Sequence, residues 1–563
     1  MRKLLQLIPV IFFAANLPAT DRPNIVLIMA DDMGYTDIGC YGSEINTPVL
    51  DQLAYNGIRF TQFYNTSRCC PTRAALLTGL YSHQTGIGLM TGDRGWPAYR
   101  GDLNKQCVTI AEVLGQAGYR NYMSGKWHVT RFSSPNGPKH NWPRQRGFDR
   151  FYGTITGAGS FWDPATLCRD NKYITPDNDP GYQPKKFFYT DAISDNAATY
   201  IRDHARQHTD KPFFLYVSYT SAHWPMHAHE KDIAKYKGKY DGGYPPIRKA
   251  RYQNAIKRGV IDKKWRMTPD HANWEKFPHK EWDIRCMEVY AAMVDNMDQG
   301  LGKIVNALKA TKNFENTIII YLQDNGGCAE YYGRRDNSDK KSKFDFKPFG
   351  PNDLQTKIWP PMQTRDGRWV RTGPKTMPGP EDTFVAYGLG WANTSNTPFK
   401  GYKHDGYEGG ISTPFIVHWP AGIKNSHRNQ IVDNPAHLID LMPTFVAATG
   451  ATYPARFRGK PIQPMEGTSL LPAFVGQQFK RNAPLAFEHH GNLALRDGRW
   501  KIVSAYRKEK PISWELYDME QDRTELNNLA AKHPDKLSEL SDKWQRWANR
   551  VGVQPWPFQK NKQ

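Results

Sequence analysis

The chain has 563 residues, of which 75 are Lys or Arg and 55 are Asp or Glu, so its formal net charge is +20. With 39% hydrophobic residues it can bury a large core, which excludes an intrinsically disordered or fibrous protein. The sequence shows no repeat with a period of about 20 to 50 residues, which excludes a solenoid. The length suits a large α/β core with one appended domain as well as a string of small domains.

The amino-terminal residues are typical of a secretory signal peptide. Two basic residues follow the first methionine, and an apolar run then covers residues 4–17. A membrane anchor is the alternative, but the run is shorter than the roughly 20 residues that span a bilayer. We therefore predict a signal peptide over residues 1–19, cleaved near Ala15 or Ala19. The mature protein should be exported, either periplasmic in a bacterium or secreted, without stable membrane insertion.

Four apolar, strand-like runs end in charged or polar residues instead of simple turns. Residues 24–29 lead to Asp31 and Asp32, 121–123 to Lys126 and His128, 213–219 to His223, and 317–322 to Asp324 and Asn325. Helix-like patterns such as residues 109–117 lie between the runs, and this alternation predicts a largely parallel sheet covered on both faces. Ligands bind outside the carboxyl ends of the strands in such sheets, so we expect these polar residues to converge there.

The chain after residue 452 has a different pattern. A passage rich in turn residues over 453–472 predicts a link to a smaller domain. Short strand candidates and a terminal helix follow it at 485–488, 493–496, 500–503, 514–517 and 536–551. We therefore predict a main α/β domain over residues 20–452 and a C-terminal domain of antiparallel sheet plus helix over 453–563.

Much of the basic surplus lies in two stretches, residues 231–280 and 334–375. Net charge governs association, so a basic exported protein could bind nucleic acid, a membrane surface or an acidic polysaccharide. Both stretches also contain aromatic residues, namely Tyr236, Tyr240, Trp265, Trp274, Trp282, Trp359 and Trp369. They fit either two solvated insertions or a basic aromatic surface for a sulfated or carboxylated glycan.

The cysteines do not form the pattern of a disulfide scaffold. There are seven, at positions 40, 69, 70, 107, 168, 286 and 328, and the odd count leaves at least one unpaired. None lies in a CxxC pair of the kind that holds structural zinc.

Asp31, Asp32 and Asp324 would place three carboxylates at one sheet edge, with the amide oxygen of Asn325 beside them. Such crowding is costly unless it is neutralised. Oxygen ligands without thiolates select a hard cation, and Ca²⁺ tolerates irregular geometry better than Mg²⁺. The alternative is that these residues are ordinary turn residues.

A second candidate site is the segment around Cys69 and Cys70. Pro71 is predicted to be the first helical residue of a run that reaches Gly79. The two cysteines would then lie at the positive end of a helix dipole, with Arg73 adding a fixed cation. These features favour a thiolate of low pKa that could attack an anionic ester.

The segment Cys69-Cys70-Pro71-Thr72-Arg73, followed by Leu77-Thr78-Gly79, resembles the Cys-x-Pro-Ser-Arg signature of the type I, formylglycine-dependent sulfatases of the alkaline phosphatase superfamily. Further segments resemble that family in the same order along the chain, at residues 24–34, 124–128, 323–327, 407–410 and 514–529. The resemblance implies an alkaline phosphatase-like fold, a large mixed and mostly parallel sheet sandwiched by helices.

The resemblance also implies a nucleophile and a metal ion. The first cysteine of the signature, here Cys69, would be oxidised to formylglycine by a sulfatase-maturating enzyme, and its hydrated aldehyde would supply the attacking oxygen. One Ca²⁺ ion would be held by the residue at position 69 together with the carboxylate and amide ligands Asp31, Asp32, Asp324 and Asn325.

The remaining family positions imply roles for basic residues. Arg73 and Lys126 match residues that hold the aldehyde hydrate and the sulfate, and Lys403 matches a second sulfate-binding lysine. His128 matches the histidine that helps to break down the sulfated hydrate, and His223 the one that protonates the leaving oxygen.

Four further positions depart from the family pattern or extend it. Thr72 stands where Ser is more usual, and Gln323 stands where Ser often precedes Asp-Asn. Ser160 is a candidate for the family's sulfate-contacting serine. His490, in a polar loop between two predicted strands, is a candidate for substrate specificity, with an ordinary surface loop as the alternative.

Together these features predict an exported, Ca²⁺-dependent sulfatase that cleaves the S–O bond of sulfate esters. The expected substrate is a sulfated carbohydrate, with galactose-containing glycans as candidates, or a small aryl sulfate, and no nucleic acid partner is expected. Two alternatives are a phosphonate monoester or phosphodiester hydrolase of the same superfamily, and an inactive sulfated-glycan-binding protein in which Cys69 is not converted.

Overall fold

The computed structural model describes residues 22–337 and 345–558, so the predicted signal peptide over residues 1–19 lies outside the described residues. Within the described residues, eleven strands form one large sheet: β1 Asn24–Ala30, β2 Ile58–Tyr64, β3 Arg120–Gly125, β4 Arg150–Thr154, β5 Leu167–Arg169, β6 Lys172–Tyr173, β7 Phe213–Ser218, β8 Thr317–Gln323, β9 Ser412–His418, β10 Gln430–Val432 and β11 Ala436–His437. Six further strands form two small antiparallel sheets: β12 Arg456–Phe457, β13 Lys460–Pro461, β14 Leu485–His489, β15 Asn492–Asp497, β16 Trp500–Ser504 and β17 Glu515–Asp518.

The α-helices vary from one turn to 31 residues in length. In chain order they are α1 Pro48–Tyr55, α2 Cys69–Thr78, α3 Ser82–Thr85, α4 Ile110–Gln116, α5 Tyr189–Gln207, α6 Glu230–Ile233, α7 Tyr244–Lys257, α8 Lys280–Ala310, α9 Leu389–Ser395, α10 Glu408–Ile411, α11 Leu441–Thr449, α12 Leu471–Phe474 and α13 Pro534–Val551. The predicted helix over residues 109–117 is confirmed as α4, where Thr109 caps the first turn by accepting a hydrogen bond from the Glu112 backbone N–H.

The centre of the large sheet is parallel. Strands β8, β1, β7 and β3 are consecutive neighbours and run in the same direction, whereas β9 pairs antiparallel with β8. Alternate side chains of β1 reach opposite faces: Ile25 and Leu27 pack with α2, α4 and α11, while Val26 and Ile28 pack with α5 and α8. The predicted mixed, mostly parallel sheet between helical layers is therefore confirmed, and the carboxyl ends of four parallel strands meet at one edge.

The C-terminal part forms the predicted small antiparallel sheet with a helix. Strands β14, β15, β16 and β17 pair in order, and α13 packs on β15 and β16. A buried ion-pair network attaches this part to the large sheet. Glu408 accepts hydrogen bonds from Lys501 Nζ at 2.9 Å and from Arg523 Nε at 2.8 Å. Both donors belong to the C-terminal part, whereas Glu408 lies in α10.

The aromatic residues of the two basic stretches belong mainly to the core. Buried rings include Tyr236, Tyr240, Trp274, Trp282 and Trp369. Trp359 alone among the seven is an exposed ring, with 52% of its surface accessible. The structure therefore does not present these aromatic residues as one continuous glycan-binding surface, because most of them pack inside the fold.

All seven cysteines are buried free thiols in this structure. Burial raises the pKa of several of them, including Cys40 and Cys168, so these side chains behave as small core residues. Across residues 22–337 and 345–558, none of the helices has both the length and the apolar character needed to cross a membrane.

Candidate active site

The strand-end acids converge as the sequence predicts. Asp31 and Asp32 follow β1, Asp324 and Asn325 follow β8, and all four are at most 1% exposed. The Asp32 backbone N–H donates to Asp324 Oδ1 at 3.3 Å, and Asn325 Nδ2 donates to Asp32 Oδ1 at 2.8 Å. We call these four residues the carboxylate corner.

The carboxylate corner has the oxygen atoms that a hard cation requires. Asp31 Oδ1 and Asn325 Oδ1 are buried and have no hydrogen-bond partner. Burial, with the nearby Asp324 carboxylate, raises the pKa of Asp31 well above its usual range, so the ionised form is costly without a cation. Unpartnered carboxylate and amide oxygens in one buried cluster fit a Ca²⁺ ion.

Three basic side chains contact these acids. Lys126, which follows β3, pairs with Asp31; Arg73 Nη2 lies 2.9 Å from Asp324 Oδ2; and Lys403 Nζ lies 2.8 Å from the Asp32 carboxylate. All three cations are nearly inaccessible to solvent, so they require paired charges. Burial alone would lower the pKa of Lys403. The Asp32 carboxylate outweighs this effect and holds the pKa well above its ordinary value, so Lys403 is a cation at neutral pH.

Helix α2 begins at Cys69, two residues earlier than predicted. The Thr72 backbone N–H donates to the Arg68 carbonyl at 3.0 Å, which places Arg68 at the N-cap and both cysteines in the first turn. Pro71 is therefore the third helical residue. Proline is tolerated there because N–H groups in the first turn of a helix have no partner inside the helix. A hydrogen bond from Cys70, with Lys126 nearby, lowers the pKa of Cys69 well below its ordinary value despite burial.

The two predicted histidines lie on different sides of the site. His128 Nε2 lies 3.2 Å from Cys70 Sγ, and potential ligand atoms of Cys69, Cys70 and His128 all lie within 4.8 Å of one another. His223 Nε2 lies 3.4 Å from Asp32 Oδ2, while its Nδ1 lies 2.7 Å from its neighbour's carbonyl oxygen. Burial lowers the pKa of His223 to about 3, so the ring is neutral in this structure.

A further carboxylate, Glu330, was not predicted from the sequence. It pairs with Arg68 Nη1 at 2.8 Å, His404 Nε2 at 3.1 Å and Lys403 Nζ at 3.3 Å, and Trp224 Nε1 donates to it at 3.0 Å. Burial alone would raise the pKa of Glu330, but the Lys403 cation outweighs this effect and holds the pKa well below its usual range. Glu330 lies in a loop after β8 and belongs to no recognisable motif, so no sequence signal identified it.

The ion-paired carboxylates and cations of the site are equal in number. Its members are the carboxylates Asp31, Asp32, Asp324 and Glu330 and the cations Arg68, Arg73, Lys126 and Lys403. A divalent cation at the carboxylate corner and a divalent anion beside the basic side chains would therefore each offset the charge of the other in this buried site.

The positions that depart from the family pattern have clear contacts. Thr72 Oγ1 donates to the Asp324 carbonyl at 2.6 Å, so the retained hydroxyl ties α2 to the end of β8. Ser160 Oγ accepts hydrogen bonds from the backbone N–H groups of Trp162 and Asp163, at 3.1 and 3.3 Å, and stabilises its own loop. These contacts assign Ser160 a turn-forming role and give no support for a sulfate contact.

His490 lies at the outer edge of the site. It occupies the turn between β14 and β15 with a left-handed φ of 51°. Its ring centroid is 5.5 Å from that of His404, which contacts Glu330, and 4.7 Å from that of Trp556. The structure thus places His490 near the site but not in contact with the carboxylate corner.

Comparison with known proteins gives a consistent identification. A model of the sulfatase family matches residues 23–451, and a model described as N-sulphoglucosamine sulphohydrolase, C-terminal, matches residues 402–548. An uncharacterized sulfatase of Schizosaccharomyces pombe is 31% identical over 558 residues, covering 94% of each chain. Arylsulfatase A of Homo sapiens is 36% identical over 521 residues, covering 87% of this chain and 76% of the human protein.

A solved structure supports the fold. Ps i-CgsB in complex with k-i-k-neocarrahexaose superposes with a TM-score of 0.63 at 23% identity, covering 96% of this chain and 94% of that one. The family model spans most of the sequence, and both relatives exceed 30% identity over more than two thirds of this chain. The chain therefore belongs to the sulfatase family and is a sulfuric ester hydrolase.

Proposed function

We propose that this protein is an exported, Ca²⁺-dependent sulfatase that uses formylglycine at position 69 to remove sulfate from a carbohydrate. The observation that carries the proposal is the convergence of the carboxylate corner, the first turn of α2 and the basic residues Lys126 and Lys403 in one buried site. Acids from β1 and β8 meet a reactive side chain from α2 and cations from two other segments there.

The carboxylate corner and residue 69 would hold the metal ion. A bound Ca²⁺ would polarise the sulfuryl group and neutralise its negative charge. Asp31 Oδ1 and Asn325 Oδ1, which are buried without partners, support this role. Oxidation of Cys69 by a maturating enzyme would supply a hydrated aldehyde, whose oxygen is the nucleophile at sulfur.

The remaining residues would orient the ester and move protons. Lys126 and Lys403 would stabilise charge that develops on the sulfuryl oxygens, because they are fixed cations in a site shielded from water. His223 would protonate the leaving oxygen, since an anionic ester beside it favours its protonated form. His128, next to the first turn of α2, would accept the proton when the sulfated residue 69 is broken down.

The proposed substrate is a sulfated carbohydrate, with galactose-containing glycans as the first candidates. The net charge of +20 favours association with a polyanion. Ps i-CgsB, which shares the fold, binds k-i-k-neocarrahexaose, and the outer edge of the site carries polar groups from His404 and His490 that suit sugar hydroxyls. Export follows from the proposed signal peptide and is tested by the amino-terminal sequence of protein recovered outside the cytoplasm.

Two measurements test the proposal. The first is the mass of the tryptic peptide that carries Cys69 and Cys70, prepared from a host that converts a control sulfatase. Aldehyde in place of thiol at Cys69 is the expected result, and two intact cysteines would contradict the proposed nucleophile. The second is hydrolysis in ¹⁸O-labelled water, where label should appear in sulfate; label in the alcohol would contradict S–O cleavage.

A further inference from the structure

An aromatic ladder runs from His223 to the protein surface. The His223 and Trp224 ring centroids are 4.2 Å apart, and the Trp224 and Tyr332 centroids are 4.6 Å apart. Phe384 packs against Trp224 from another direction at 5.5 Å. The side chain proposed to protonate the leaving group is therefore the innermost member of a series of packed rings.

Exposure rises from the buried charged groups of the site towards Tyr332. The side chains of Asp32 and Lys403 are 1% accessible, whereas those of Glu330 and His404 are 15% and 26% accessible. Trp224 is 6% exposed, and Tyr332 is 46% exposed. The site thus meets solvent on the side of Glu330 and Tyr332. The Tyr332 ring, which packs on Trp224 and is exposed beside the site, is therefore accessible to a ligand that enters from this side.

The ladder is held rigid by contacts that do not involve a ligand. Trp224 Nε1 donates to Glu330 Oε2 at 3.0 Å, which fixes the plane of the indole. The Tyr332 carbonyl accepts a hydrogen bond from the Ala386 backbone N–H at 2.9 Å, which fixes the segment that carries the tyrosine. A surface fixed in advance loses little conformational entropy when a ligand packs on it.

We propose that Tyr332, backed by Trp224, is a stacking subsite for the sugar ring whose oxygen carries the sulfate. This inference rests on the carbohydrate substrate proposed above. The sugar is the leaving group, so it must lie on the His223 side of the sulfuryl group, where the ladder begins. A pyranose has an apolar C–H face that packs on an aromatic ring, so the ring of Tyr332 and not its hydroxyl would carry the contact.

The subsite acts on the sugar and not on the sulfate group. Tyr332 carries no charge, and the sulfate-binding cations belong to other segments. Removing the ring should therefore weaken binding of the sugar part of the substrate while the affinity for inorganic sulfate stays the same. The two effects separate a stacking role from general damage to the site.

The test compares Tyr332→Ala with two matched variants in the fully converted enzyme. Tyr332→Phe keeps the ring, and Tyr331→Ala removes the neighbouring tyrosine, which is 60% exposed. The probes are galactose and N-acetylglucosamine monosulfates, with inorganic sulfate as a competitive inhibitor. We expect Tyr332→Ala to raise KM for the preferred sulfated sugar about fivefold to tenfold. Tyr332→Phe and Tyr331→Ala should stay within about twofold of wild type, and the Ki of sulfate should be unchanged in all three.

Each result is decisive. An unchanged KM in Tyr332→Ala, with turnover of sulfated sugars by the wild type, would overturn the subsite and leave the proposed function intact. An equal loss of affinity for sugar and for inorganic sulfate would also overturn it, because a distorted sulfate site would then explain the change. A converted wild type that turns over no sulfated sugar would overturn the carbohydrate substrate, and the subsite with it.

Discussion

Glu408 provides the sharpest test of how the two parts of the molecule are held together. Its side chain is inaccessible to solvent and pairs with Lys501 and Arg523, while Tyr64 Oη donates to it at 3.1 Å. Burial alone would raise the pKa of Glu408, but the cations Lys501 and Arg523 outweigh this effect and lower the pKa from 4.5 to about 2. At 1.36 kcal/mol for each pKa unit, this shift corresponds to about 3 kcal/mol of stability above pH 4.5, which is lost as the pH falls through 2.

Replacement of Glu408 by Gln should therefore lower the free energy of unfolding by about 3 kcal/mol at pH 7, within the range measured for breaking buried ion pairs. The assay is urea denaturation followed by circular dichroism, with the slope of the transition compared between variants. Asp497→Asn is the matched surface control, because its partner Lys543 lies 2.6 Å away and both side chains are 31% accessible. That control should cost about 0 to 1 kcal/mol.

The second carboxylate of the network makes the expected effect of Glu408→Gln non-additive. Glu525 Oε1 also lies 2.8 Å from Lys501 Nζ, so it remains as a partner when Glu408 is replaced. The double variant Glu408→Gln, Glu525→Gln should lose more stability than the two single variants together, because Lys501 then has no carboxylate partner. A loss below about 0.5 kcal/mol for Glu408→Gln, or strict additivity in the double variant, would refute the reasoning.

Four further predictions follow from the site and the same network. Cys69→Ala should lower turnover at least about a thousandfold, whereas Cys70→Ala should retain turnover within about tenfold, as measured with 4-nitrophenyl sulfate. His223→Ala should lower kcat about a hundredfold for a sulfated sugar but less for 4-nitrophenyl sulfate, because nitrophenolate leaves without a proton; equal losses would contradict a proton-donor role. Because Ca²⁺ and sulfate would offset each other's charge in one buried site, each should increase the affinity for the other, which calorimetry with and without EGTA measures. Burial raises the pKa of Glu525 to about 7. The wild type should therefore lose stability relative to Glu525→Gln as the pH rises from about 4.5 to about 7. Parallel profiles of unfolding free energy against pH for the two proteins would contradict this.

The strand-end residues could be placed from the sequence because one rule relates them. Parallel strands share a direction, so residues that follow β1, β3, β7 and β8 must lie at the same edge. The order β8-β1-β7-β3 then makes the segments that carry Asp31, Lys126, His223 and Asp324 direct neighbours. Neither side-chain distances nor the pairing of Lys126 with Asp31 could be obtained this way, because they depend on rotamers that the packed site selects.

The loops after the strands could not be placed. Glu330 and Tyr332 lie in an irregular segment whose path is set by contacts with distant residues, such as the hydrogen bond from Ala386 to the Tyr332 carbonyl. Periodicity gives no signal in such a segment. The start of α2 was misplaced by two residues for a related reason. Proline is most frequent at the first helical position, but the first turn as a whole tolerates it because its N–H groups lack partners inside the helix.

The buried basic residues show why net charge alone does not describe the surface. Lys126, Arg73 and Arg523 are all within the most buried part of the molecule, so the formal charge overstates the basic surface. Each is matched by a carboxylate from a distant part of the sequence, and such pairs are recognisable only after folding. In the site, this arrangement leaves ionised groups fixed in place and shielded from water, where charge on a reacting sulfuryl group is stabilised most effectively. The net charge of +20 therefore lies outside these buried pairs, where it would favour association with the proposed polyanionic substrate.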